Sequence, residues 1–139
     1  MNAETGEWVA KADGDFHDAQ RGIRARKHPN YDGVCFNSQQ CVEKYLKACL
    51  VEADIRFPKT HDLAKLLDLA RALEPSWELW RPNLEMLSSF AVEFRYPGRS
   101  ANQEEARHAF ALCRSFRASL RKYLGLRNGE PGVKRRRKK

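Results

Sequence analysis

The stretch Phe36-Asn37-Ser38-Gln39-Gln40-Cys41-Val42-Glu43-Lys44-Tyr45-Leu46-Lys47-Ala48 decides how the rest of the chain is read. Taken with its flanks, its apolar residues Val34, Cys41, Val42, Tyr45, Leu46, Cys49, Leu50 and Ala53 fall on one face of a helix over 31–53. Gln40, Glu43, Lys44 and Lys47 share a neighbouring face at spacings i, i+3, i+4 and i+7. One helix thus carries both a buried stripe and a charged band beside it.

The same periodicity extends in both directions. Upstream, Trp8, Ala12, Phe16, Ala19 and Ile23 make one stripe, which predicts a helix over 7–27 stopped by His28-Pro29-Asn30. Downstream, residues 54–59 with Pro58 read as a linking turn, and Thr60 as the cap of a third helix carrying Leu63, Leu66, Leu67, Ala70 and Leu73. That helix is expected to end near Glu74-Pro75. Trp77 and Trp80 read as the edge of a core. Pro82 suits the first turn of a fourth helix, supported by Leu84, Met86, Leu87 and Phe90, which fails at Phe94-Arg95-Tyr96-Pro97-Gly98. A last helix starts at Asn102 with Glu105 placed for a capping box, follows Ala109, Cys113, Phe116, Leu120 and Leu124, and stops at Gly125. No strand signal is present. The expectation is an all-α fold, an antiparallel up-and-down bundle of about five helices joined mostly by short links.

At 139 residues the chain reads as one domain, able to bury a core without disulfide staples. The charge is uneven. Residues 127–139 hold seven basic groups and one acid, so most of the formal net +8 belongs to them and the body is close to neutral. The expected division is a helical bundle over 1–126 and a disordered basic tail over 127–139, whose run Lys134 to Lys139 attracts phosphates non-specifically. Cys35, Cys41, Cys49 and Cys113 lack metal-site spacing and read as small buried residues of a reducing compartment. With no apolar signal region and no membrane-spanning stretch, the chain is expected to be cytoplasmic and not to engage a membrane. No glycine-rich phosphate loop and no metal-binding carboxylate cluster appear, so neither cofactor nor metal is expected.

Three ordered pieces carry a family resemblance. They are Gln39-Gln40-x-x-Glu43-Lys44-x-x-Lys47-Ala48, then Thr60-His61-Asp62-Leu63, then Arg95-Tyr96-Pro97. With Trp8-x-x-x-Ala12-x-x-Asp15 before them, the chain over roughly 7–125 resembles the HEPN family, the higher eukaryote and prokaryote nucleotide-binding domain. The resemblance implies a bundle of four to five helices, frequent homodimers, and members that work beside a minimal nucleotidyltransferase in toxin–antitoxin-like pairs. It also implies that some members cleave RNA without a metal, using an Arg, four to six residues, then a His.

The chain departs from that ribonuclease pattern. Twelve residues separate Arg95 from the next histidine, His108. Arg21 with His28 and Arg56 with His61 have the spacing, but at the wrong place, and 16 Arg with four His produce such matches by chance. The reading therefore favours a module that binds nucleotide or RNA, or docks a partner, through Glu43, Lys44, Lys47, His61 and Arg95. The alternatives are a ribonuclease using Arg95 with His61 or Tyr96, and a dimeric adaptor without ligand. Arg suits phosphate, Tyr a base, and His a moving proton. On the bland reading of the same residues, the charged band is a solvated face, His61 a capping group, and Arg95 a partner of helix carbonyls or of Glu43.

Overall fold

The computed structural model describes residues 1–127; segment 128–139, and with it nearly all of the stretch read as a basic tail, lies outside the described residues. Five α-helices and one 3-10 helix make up the fold, and no strand occurs among the described residues. Helix α1 spans Ala3–Arg24 and is capped by the Asn2 side chain, which accepts from the Thr5 N–H. Its buried stripe is Thr5, Val9, Ala12, Phe16 and Ala19. The expected end members Trp8 and Ile23 flank that stripe and are only partly buried against the core.

Helix α2 spans Tyr31–Glu52, with Asn30 as its cap. Thirteen of its 22 residues are buried, which makes it the central element that the others surround. Contacts pair the start of α1 with the end of α2 (Asn2 with Glu52), the middles (Asp15 with Lys44) and the opposite ends (Gly22 with Val34), so the two helices run antiparallel. Segment 53–62 then turns back along α2. The Ile55 N–H reaches the Leu50 carbonyl, Phe57 lies by Lys47, and His61 lies by Gln39 and Glu43.

Helix α3 covers Leu63–Ala70. Its cap is Asp62, whose carboxylate accepts from the Ala64 N–H; Thr60, the expected cap, instead accepts from the Asp62 N–H. The helix ends at Ala70, earlier than the pattern suggested, and a 3-10 helix, Pro75–Trp80, leads into α4, Arg81–Glu93. Arg81 pairs with both Glu78 and Asp68, and tying the 3-10 helix to α3 in this way sets α3 and α4 antiparallel. Helix α5, Gln103–Tyr123, begins at the full Asn102–Glu105 capping box and ends where Gly125 takes φ +77°. It runs antiparallel to α4 (Trp80 on Phe116, Phe90 on His108) and parallel to α2, from Asp32 beside Ala101 to Tyr45 beside Arg121. The return of segment 53–62 is what places α3 beside α2 without reversing it. No helix among the described residues is long and apolar enough to cross a membrane.

The core is aliphatic at the centre, with Leu46, Leu50, Leu63, Leu66, Leu67, Leu84, Leu87 and Leu120 fully buried. Its edge is aromatic: Trp77 stacks on Trp80 at 5.0 Å, with Tyr123 and Phe116 against them. A second buried element is ionic. Asp13 of α1 pairs with Arg117 at 3.0 Å and Arg121 at 3.2 Å, both on α5, and accepts the Tyr45 hydroxyl of α2. Arg121 also donates to that hydroxyl, and the Arg117 guanidinium stacks 4.1 Å over Phe16. This network crosses three helices and fixes their rotation about one another.

Two measurements test the packing. A Cβ added at Gly22 would stand 2.7 Å from the Val34 Cγ2, and Val34 is itself buried. Gly22→Ala is therefore expected to lower stability by about 1–2 kcal/mol despite alanine's better helix propensity. In urea titrations Val34→Ala should recover part of that loss, and strict additivity of the two changes would sink the contact argument. All four cysteines are free and buried, and burial pushes the Cys35 and Cys49 thiols up to about 12 from 9.0. The folded chain thus holds those protons where the unfolded chain releases them. The stability these thiols contribute should be level below about pH 9 and be lost as pH rises toward 12. Cys49→Ala should flatten that fall.

Candidate functional site

The band predicted on α2 resolves into a chain of buried contacts centred on Glu43. Its side chain is 3% exposed, so the carboxylate cannot rely on water and needs protein donors. Four supply them. Gln39 and Gln40 each donate from Nε2 at 3.2 Å, Lys47 from Nζ at 3.0 Å, and His61 presents Nδ1 at 3.1 Å. The spacing explains the motif: residues 39 and 40 stand one helical turn before Glu43 and residue 47 one turn after it, and a buried acid needs neighbours at those positions. Gln39 Nε2 also donates to the His61 carbonyl at 2.9 Å and so pins the returning segment to α2.

The candidate residues then separate. The Lys47 ammonium lies between the Trp8 and Phe57 rings, 5.5 and 5.7 Å from their centres, and its side chain is 8% exposed. Lys44 points to α1 and pairs with Asp15 at 2.6 Å. Both lysines therefore neutralise internal carboxylates. His61 differs: its side chain is 78% exposed, with one edge on Glu43 and the rest open. Arg95, just beyond α4, is exposed and makes no ion pair among the described residues; its guanidinium lies 5.7 Å over the Phe36 ring. It does not bind Glu43. Tyr96 is 64% exposed. Of the remaining histidines, His28 and His108 are exposed, while His17 is half-buried against Phe16.

One groove brings His61 and Arg95 together. Its volume is about 950 Å³, at the upper end of the range for small-molecule sites. Phe36, Gln39 and Gln40 of α2 form one side, 60–64 at the start of α3 the second, and Ser88, Ser89 and Val92 of α4 the third. Glu43, Lys44 and Lys47 do not line it. Phe36, Ser88 and Ser89 escape a sequence reading because each is an ordinary residue until the helices meet. Ser88 has a visible structural duty, since its hydroxyl accepts the Leu63 N–H at the start of α3. The ion network at Asp13 was equally silent, although Asp13, Arg117 and Arg121 sit beside buried stripes where a charge demands a partner. No cluster of His, Cys, Asp and Glu among the described residues is arranged to hold a metal.

The burial pattern predicts an asymmetry between two partners. Glu43→Gln leaves the Lys47 ammonium buried without its counter-ion and should cost about 3 kcal/mol. His61→Ala removes an exposed ring and leaves Glu43 three donors, so its cost should stay below about 1 kcal/mol. Urea unfolding of both variants checks this; equal losses would show that the two side chains work as one unit.

Comparison with known proteins agrees with the geometry. No curated protein and no solved structure matches the chain. A family model described as the HEPN domain matches residues 5–123, from the first turn of α1 to the last residue of α5. That span includes the Glu43 cluster, the returning segment and the whole groove, and the chain belongs to the HEPN family, whose functions are nucleotide- or RNA-related.

Proposed function

We propose that this HEPN chain is a binding module that holds a nucleotide, or a nucleotide unit of RNA, in the groove between α2, α3 and α4. The observation that carries the reading is the meeting of Arg95 and His61 on one groove. Arg95 has a guanidinium that no carboxylate occupies among the described residues, above an accessible aromatic ring. Such a group suits phosphate, and Phe36 beneath it suits the face of a base. His61 stands on the other side, its ring oriented by Glu43. Glu43 and Lys47 act from behind, as positioning residues. Lys44 ties α1 to α2. Tyr96 follows Arg95 in the chain and is exposed, but it does not line the groove. The module works as a homodimer beside a minimal nucleotidyltransferase in a toxin–antitoxin-like pair, as the family resemblance implies.

A ligand at one hundred times its Kd adds about 2.7 kcal/mol of stability. Adenosine monophosphate or a short single-stranded RNA should therefore raise the Tm of the protein by several degrees. Arg95→Ala should abolish the rise without lowering the unliganded Tm, because Arg95 is exposed and makes no ion pair among the described residues. Equal shifts in both proteins, or none in either, would remove the groove from the binding reaction.

The Glu43–His61 contact favours one second reading. A histidine held by a carboxylate through Nδ1 presents its other nitrogen for proton transfer, and Arg95 is placed to stabilise phosphate charge, so RNA cleavage without a metal is the reaction these groups suit. Incubation with RNA in EDTA tests it. Cleavage should disappear in both His61→Asn and Arg95→Ala; cleavage that persists in either assigns it to another source.

A further inference from the structure

The groove's charge is unlike that of a polyphosphate site. Besides Arg95 and His61, the charged groups on its walls are carboxylates: Asp62, Glu85 and Glu93. Asp62 is held by the Ala64 N–H at the start of α3, so that helix N-terminus already has its anion. Glu93 is offset by Arg99 at 2.6 Å. Glu85 is exposed and makes no ion pair among the described residues. Among the described residues Arg95 is therefore the one permanent cation on the lining, beside one acid without an ion pair, Glu85, and two that are offset. The lysines of α2 are withdrawn, Lys44 to Asp15 and Lys47 to Glu43.

We infer that the groove selects a ligand with one phosphate group beside each unpaired base and turns away nucleoside triphosphates. This rests on the reading that the groove binds a nucleotide at all. A single phosphate finds Arg95 and sets its base toward Phe36 and the apolar wall of Val92 and Ala64. A triphosphate brings further negative charge into the same space, where Glu85 has no ion pair among the described residues and Glu93 and Asp62 are already offset. The Glu85 carboxylate repels it, and among the described residues no lysine or arginine of the lining besides Arg95 offsets the added charge. The acids of the lining do not converge, among the described residues, into a group able to hold a metal that would offset it. The favoured chemistry has two sources, a free nucleoside monophosphate and a single-stranded RNA, and both carry one phosphate per base.

Titration calorimetry of the full chain, at constant ionic strength and in EDTA, tests this with adenosine monophosphate, adenylyl-adenosine and ATP. The monophosphate is expected to bind about tenfold or more tighter than ATP, a difference of about 1.4 kcal/mol. In the Glu85→Gln protein, ATP affinity should rise about threefold or more while the monophosphate changes less than about twofold. Glu85 is exposed, and the Tm of the substituted protein checks that it folds. Tighter binding of adenylyl-adenosine than of the monophosphate supports RNA as the source, and weaker binding supports the free nucleotide. ATP binding as tight as the monophosphate, with both abolished by Arg95→Ala, would overturn the selectivity and leave the groove as a nucleotide site. A ratio of the two affinities that Glu85→Gln leaves untouched would overturn it equally. Failure of all three probes to bind, or binding indifferent to Arg95→Ala, removes the groove site and this inference together.

Discussion

A carboxylate buried at Glu43 is the constraint on which the functional side of this molecule depends. A charge removed from water is costly unless its lone pairs are filled, and Glu43 fills them from three directions. Two glutamines come from the preceding turn of α2, a lysine from the following turn, and a histidine from the returning segment. The first three are local and follow from helix spacing. The fourth is long-range. The His61 ring meets Glu43 while the His61 carbonyl accepts from Gln39, so segment 53–62 has one register along α2. Helix α3 starts directly after that register is set, and the Leu63 N–H then finds Ser88 of α4. The groove's three sides are thus positioned from one buried acid outward.

Helix α2 carries a second demand on its other side. Tyr45, two residues from Glu43, points to α1 and α5, where Asp13 and two arginines meet its hydroxyl. Successive helical positions are about 100° apart, so residues 43 and 45 face well-separated directions. One direction fixes segment 53–62 and α3; the other fixes α1 and α5. Ionic groups are paired off in these two clusters, whereas Arg95 and the open edge of His61 keep exposed polar surface on the groove.

The helices were legible in the sequence because helical burial is local and periodic. The stop at His28-Pro29-Asn30, Pro82 in the first turn of α4, the Asn102–Glu105 box and Gly125 all act within a few residues of where they are read. Thr60 failed as a cap because Thr60 and Asp62 are both good caps, and only the packing of Leu63 against the core decides which one begins the helix. Among the candidate residues, type and spacing marked Glu43, Lys44 and Lys47 as a band, but exposure separates structural charge from free charge, and exposure depends on the elements packed over α2. Trp8 and Phe57, distant in sequence, are what cover Lys47. Asp15 claims Lys44 for the same kind of reason. Phe36, Ser88 and the Asp13 network are products of tertiary contact, with no local pattern to announce them.

The spacing that is missing after Arg95 has a structural account of its own. Four to six intervening residues after Arg95 place the ribonuclease histidine at 100, 101 or 102, and this chain has Ser100, Ala101 and Asn102 there. Two of these positions are already engaged. The Ala101 side chain packs partly buried against the core, and its N–H donates to the Asp32 carboxylate at 2.6 Å, joining the start of α5 to the start of α2. Asn102 caps α5 and shares the capping box with Glu105, a role for which a short side-chain acceptor is preferred. A histidine at 102 would weaken the start of the helix that carries Arg117 and Arg121 into the buried network. The junction thus anchors α5. The contact with Glu43 that fixes the register of the returning segment also leaves the His61 ring on the groove that Arg95 borders.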